Sequence, residues 1–144
     1  MNTCKYCATE LMEEQFCPVC TLVFPESEIC KDYKRPSILP EEIPTESELD
    51  QLETKQLLVA KNYFLYYALK QARQSRKHAI ENLKDQYLFE HYQKKCYIIE
   101  NILIERTGTF PKRIDNKFLL AAKETAVKNE KLNQERVMRS YPIH

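Results

Sequence analysis

Two apolar stripes run through residues 55–106 at helical spacing, and they do not share a phase. With about 100° of rotation per residue, Leu57, Leu58, Phe64, Leu65, Ala68, Leu69, Ala72, Ala79 and Leu83 cluster on one side of a helix. Leu88, Tyr92, Cys96, Ile99, Ile102 and Leu103 form a second stripe roughly 150° round from the first. Between them, Arg73-Gln74-Ser75-Arg76-Lys77-His78 is polar on every side. One long helix over residues 54–107, wrapped by different neighbours, would also carry such stripes. Two helices meeting near the polar segment account for the phase change and let both stripes share one core, and this is the reading the pattern favours.

The ends of these elements are marked. Thr45 followed by Glu48 is a capping-box pattern, and Pro44 and Leu49 stand where a hydrophobic staple would, so a short helix is expected over Glu46 to Glu53, re-capped at Thr54 or running into the next. Gly108 is placed to end the second long helix. After it, Asp115 or Asn116 can cap a further helix with Phe118, Leu119, Leu120, Ala122, Ala126 and Val127 as its apolar face. Beyond Lys128 the pattern is mostly polar, so the end of that helix is expected to project into solvent or to meet a partner, with Pro142 stopping it. Pro25, Pro36, Pro40 and Pro44 forbid helix upstream and favour an extended connector. The expected organisation is a small module over 1–24, a proline-rich linker over 25–44 and a helical domain over 45–144, mainly α, with about three antiparallel helices in the helical unit.

Cysteine spacing supplies the chemistry of the first segment. Cys4-x-x-Cys7 and Cys17-x-x-Cys20 gather four soft thiolates within twenty residues, each pair able to grip one ion from a tight turn, with residues 8–16 running out and back as a hairpin. The pattern points to one structural zinc ion rather than disulfides or a redox pair, because the chain behind it is Lys/Glu-rich and helical, as suits a reducing compartment. These residues resemble the short zinc-ribbon, or double zinc-knuckle, modules found at the start of many bacterial, archaeal and phage proteins. The resemblance covers about the first 24 residues and implies Cys4, Cys7, Cys17 and Cys20 as ligands; it implies no activity. A glycine often follows the second cysteine of each knuckle in that family, and here Ala8 and Thr21 stand there, which predicts strained or differently turned knuckles. Cys30 and Cys96 are read as plain buried or linker thiols.

The net charge of +1 conceals segregation. Residues 1–30 hold one base and five acids (−4), residues 31–56 four bases and seven acids (−3), and residues 57–144 seventeen bases and nine acids (+8). Four thiolates on Zn²⁺ would leave the site itself at −2, so the N-terminal module repels phosphate, and any nucleic-acid contact must come from the helices. One helical face is suited to that. Tyr63, Tyr66, Tyr67, Lys70, Arg73 and Lys77 project within about 120° of one another, with Arg76 nearby, and such a face could stack on bases and neutralise phosphates. Burial of the tyrosines against another helix, with the bases solvated, is the commoner use of such a face, and docking of a protein partner is a third.

Several classes are set aside. A single glycine, Gly108, leaves no glycine-rich phosphate loop, and no apolar run is long enough to span a membrane. No leader segment is read at the N-terminus, which predicts a soluble, cytoplasmic protein. His78, His91 and His144 stand apart from one another and from any nucleophile, so neither an enzyme nor a small-molecule substrate is expected. The expectation is a zinc-ribbon adaptor or inhibitor of a larger protein assembly, for example in transcription, replication or defence. The alternative is a DNA- or RNA-binding regulator using the basic-aromatic face.

Overall fold

The computed structural model describes residues 1–36 and 43–140; the expectations resting on Pro40 and Pro142 lie outside them. Its described residues fall into two compact units, 1–36 together with the last helix from Glu124 onward, and 43 to Lys123. Mainly helical structure with a small stranded N-terminal module is what the sequence pattern predicts. The number of helices is larger.

In the second unit the helices are α1 (Glu46–Gln51), α2 (Thr54–Val59), α3 (Asn62–Glu81), α4 (Gln86–Thr107) and the first part of α5 (Asn116–Ser140). Most of both long stripes is buried, with Leu65, Ala68, Leu69, Ala72 and Ala79 from α3 and Tyr92, Cys96, Ile99 and Leu103 from α4. The pairings of Arg73 with Glu100 and of Arg76 with Gln93 make α3 and α4 antiparallel. Two helices therefore replace one, but the reversal comes at residues 82–85 rather than within Arg73–His78. The polar segment stays helical because its side chains have partners: Arg73 binds Glu100, Ser75 binds Glu46, and Arg76 binds Gln93. Leu83, assigned to the stripe, lies past the end of α3 and is exposed.

The reversal uses Lys84 at φ 53°, in the left-handed region where a side chain costs about 1–2 kcal/mol. Lys84→Gly is therefore expected to raise stability by about 0.5–1 kcal/mol after the glycine's own entropic cost. The measurement is a higher urea midpoint at unchanged m-value.

Two six-residue helices cannot stand alone, so their neighbours must hold them. α1 begins on the predicted cap, with the Thr45 hydroxyl accepting from the Glu48 N–H at 3.2 Å, and Leu49 is its buried residue. It stops two residues early because Glu53 caps α2 in a box with Gln56. The first carbonyls left open at the ends of α1 and α2 are taken by cations from α4. Lys95 Nζ donates to the Leu52 carbonyl, and Arg106 donates to the carbonyls of Leu58 and Ala60, at helix ends where the backbone dipole favours positive charge. The break between α2 and α3 has no glycine or proline to announce it, and it leaves Leu58 exposed although its spacing placed it in the core.

Gly108 closes α4 in the left-handed conformation at φ 84°, as expected. Asp115 caps α5, accepting from the Phe118 N–H at 2.8 Å. That hydrogen bond holds the Asp115 carboxyl below its usual range, so the cap is present at neutral pH and is lost as acid protonates it.

The first unit is built on two short antiparallel pairs. β1 (Asn2–Thr3) pairs with β4 (Cys30–Lys31), and β2 (Phe16–Cys17) pairs with β3 (Leu22–Val23). β4 falls in the stretch expected to be a connector. It is followed by a two-residue reversal, with Asp32 and Tyr33 both at positive φ and the Lys34 N–H on the Lys31 carbonyl at 2.9 Å. The polar end of α5 is seated on this turn. Gln134 accepts from the Arg35 N–H at 2.7 Å and donates to the Tyr33 carbonyl, so one side-chain amide supplies both edges that a neighbouring strand would supply.

Candidate metal centre

Cys4 and Cys7 come from the turn after β1, and Cys17 and Cys20 from the end of β2 and the turn before β3. Each turn is closed by its own backbone, with Ala8 N–H on the Cys4 carbonyl at 3.0 Å and Thr21 N–H on the Cys17 carbonyl at 2.8 Å. Ala8 and Thr21 take φ values of 67° and 58°, so the two positions where the family often has glycine do adopt the conformation glycine favours.

All four sulfurs lie within 4.8 Å of one another. Cys4 and Cys20 Sγ are 3.8 Å apart, and Cys7 and Cys17 Sγ 3.5 Å apart. A tetrahedron with metal–sulfur bonds of about 2.3 Å has edges of about 3.8 Å, so this set can close on one ion with little movement. Backbone N–H groups already face two of the sulfurs, Tyr6 N–H on Cys4 at 3.4 Å and Cys20 N–H on Cys17 at 3.3 Å. Such donors stabilise thiolate rather than thiol.

Thr9 is a member of the site that the cysteine spacing did not reveal. Its hydroxyl is 3.1 Å from Cys7 Sγ and holds that thiol down to about 6. Hydrogen bonding with Cys7 pushes Cys20 up to about 12, and burial raises Cys4. Four thiols this close give up a first proton readily and hold the last, and the values belong to the set as a whole. A divalent cation removes the conflict by neutralising the thiolates together.

The other two cysteines are outside the cluster. Cys30 is buried in β4, and Cys96 is buried in α4, where burial pushes its thiol up to about 11. Chelation at pH 8 is expected to open the five cysteines of the first unit to iodoacetamide and to leave Cys96 protected until denaturant is added; mass spectrometry of the labelled peptides reads the result. Labelling of Cys96 at the same rate as the others would mean that the helical unit opens with the module.

The basic-aromatic face is brought together but is turned inward over most of its length. Tyr63 and Tyr67 are buried, with Tyr63 O–H donating to Tyr67 at 2.8 Å, and Tyr66 packs edge-on against Phe118. Lys70 donates to Asn116 at 3.0 Å, Arg76 to Gln93 at 2.6 Å, and Arg73 to Glu100 and to the carbonyls of Pro111 and Lys112. Lys77 is the exposed member of the set. The tyrosines are thus packed inside, and three of the four bases, Lys70, Arg73 and Arg76, are engaged in hydrogen bonds within the chain. His91 lies 3.4 Å from Asp50 and edge-on to Tyr92, on the rim of the α1 contact.

The fold and the cysteine set define a mainly helical chain with a small N-terminal module whose four cysteines are placed to hold a metal ion. Compared with known proteins, the chain matches no family model, no curated protein and no solved structure. No helix among the described residues is long and apolar enough to cross a membrane.

Proposed function

We propose that the metal is a single structural Zn²⁺ and that the chain works by binding, as a zinc-ribbon adaptor or inhibitor of a larger protein assembly in the cytoplasm. Four thiolates fill the tetrahedral sphere zinc prefers and leave no position for water or substrate, which supports a structural ion over a catalytic one. The observation that carries the adaptor reading is the fate of the basic-aromatic face. Tyr63, Tyr67 and Arg73, the groups best suited to stacking on bases and gripping phosphates, are spent on internal packing. The N-terminal module offers a separate surface, with residues 1–30 summing to −4, that attracts basic protein segments and repels phosphate.

The test is affinity capture of the tagged chain from its native host, with and without nuclease, followed by mass spectrometry. A stoichiometric, nuclease-resistant protein partner is expected. Loss of every partner on nuclease treatment would replace this reading with DNA or RNA binding, which would then have to weaken steeply with salt.

A further inference from the structure

Met12, Phe16 and Val23 form a continuous apolar row across the second strand pair of the N-terminal module. Met12 bridges to Phe16, and Phe16 is directly opposite Val23. Residues opposed across antiparallel pairs project to the same face. The alternate positions on the two strands are Cys17, which belongs to the metal cluster, and its partner Leu22, 43% exposed, while Phe24, just past the end of β3, enters the small core beside the cluster. A two-sided strand pair over a core should show polar side chains on its outer face. Here the outer face is apolar, with Met12 61% and Val23 67% exposed and Phe16 half-buried between them.

The charge around the row has one sign. Residues 10–26 contain four glutamates, Glu10, Glu13, Glu14 and Glu26, and no lysine or arginine. Glu13 and Glu14 lie in the turn that joins Met12 to Phe16, and Glu26 follows three residues after Val23. None of the four enters a salt bridge among the described residues. The nearest bases in sequence are Lys5, taken by Glu28 at 3.1 Å, and Lys31 in β4. An apolar centre inside a rim of free carboxylates excludes phosphates and anionic surfaces and favours cationic side chains flanking apolar ones.

We propose that this glutamate-rimmed row is the docking surface for a partner protein's extended basic segment, in which lysine or arginine alternates with aliphatic or aromatic residues. Alternation follows from the strand geometry, since every second side chain of an extended segment meets the row while those between reach the rim. The proposal rests on the adaptor reading and names the surface and the chemistry through which it works.

Selection of a random-peptide phage library on the immobilised, zinc-loaded full chain tests it. Enrichment of sequences alternating Lys or Arg with Val, Ile, Leu or Phe is expected. The selected peptides should bind Met12→Asp/Val23→Asp about tenfold or more weakly at unchanged zinc content. Glu13→Lys/Glu14→Lys, which leaves the apolar row in place, should weaken them to a similar degree and flatten the salt dependence, so the test survives if the aspartate pair fails to fold. Enrichment of acidic or uncharged sequences, or full binding by both variants, would overturn the proposal. So would concentration-dependent dimerisation of the wild type that Val23→Asp abolishes, since a second copy would then be the occupant. If host capture with the aspartate variant still retains the nuclease-resistant partner, the surface is wrong and the adaptor reading stands; if the wild type captures none, both fall.

Discussion

Cys17→Ser is expected to release the metal and unfold the N-terminal module while leaving the α3–α4 pair intact. Structural zinc in small modules supplies about 10–16 kcal/mol of folding free energy, on the order of 3 kcal/mol for each of four thiolates. The module has little else to hold it. Its buried core is Cys4, Cys17, Phe24 and Ile29, with Cys7, Leu11 and Cys20 packed against it, so most of that core is the ligand set itself. It also holds Ala8 and Thr21 in the left-handed region, where each side chain costs about 1–2 kcal/mol. Metal analysis should find the purified variant without zinc. Amide spectra should lose the dispersed resonances of residues 1–36 and keep those of α3 and α4, whose buried residues form a core of their own. Chelation of the wild type should reproduce both results. An unchanged metal content in Cys17→Ser would remove the four-thiolate assignment, and iron in place of zinc in the wild type would keep the site but change its ion. Thr21→Gly works in the opposite direction, since it relieves the strain the metal now offsets, and should slow zinc loss to a chelator.

What could be read from the sequence divides by physical cause. The four-cysteine cluster, the Thr45 and Asp115 caps and the Gly108 stop were legible because each is a local device: a spacing, a side chain accepting from an N–H three residues on, a residue without Cβ. The two core stripes were legible because helical periodicity repeats over many residues. The break at residues 60–61 was not, and the one at 82–85 was expected but nearer Arg73–His78. The first is held by a tertiary contact, Arg106 from α4 on the carbonyls of Leu58 and Ala60, and the second turns on Lys84 accepting a conformation its side chain disfavours. With one glycine in the chain, positive φ falls, among the described residues, on seven others, six of them in the first unit, so the usual punctuation is missing where the backbone turns most. β4 was missed for a related reason. A two-residue strand has no periodicity, and what fixes Cys30–Lys31 is its partner β1, nearly thirty residues away, together with the buried Thr3 hydroxyl on the Cys30 carbonyl. Gln134 shows the limit from the other side: one amide in a polar stretch finds two backbone partners about a hundred residues distant, and nothing in its own neighbourhood marks it.

Replacement of Arg73 by methionine is expected to cost about 3–5 kcal/mol. Its guanidinium meets Glu100 at 2.9 Å, the Pro111 carbonyl at 2.8 Å and the Lys112 carbonyl at 3.2 Å, and lies 6.0 Å from the Phe110 ring centre. The pair is largely shielded, with the two side chains 17% and 12% exposed. Its removal strands the Glu100 carboxylate and leaves two loop carbonyls without their donor. The segment from Phe110 to Lys112, which joins α4 to α5, then loses the group that fixes its course. Arg73→Lys keeps the charge but has no planar fork to serve three acceptors, so it should recover only part of the loss. Arg73→Met combined with Glu100→Leu should be more stable than Arg73→Met alone, because the stranded charge is gone while the two carbonyls remain unserved. Urea unfolding followed by helical circular dichroism gives these values, and with Glu100→Leu alone added, the double-mutant cycle isolates the ion-pair coupling. The result bears on function as well as on folding. A guanidinium that costs several kcal/mol to remove is held by the chain and is not free to grip a phosphate. An Arg73→Met variant as stable as the wild type would return Arg73 to the surface, and with it the nucleic-acid reading of that face.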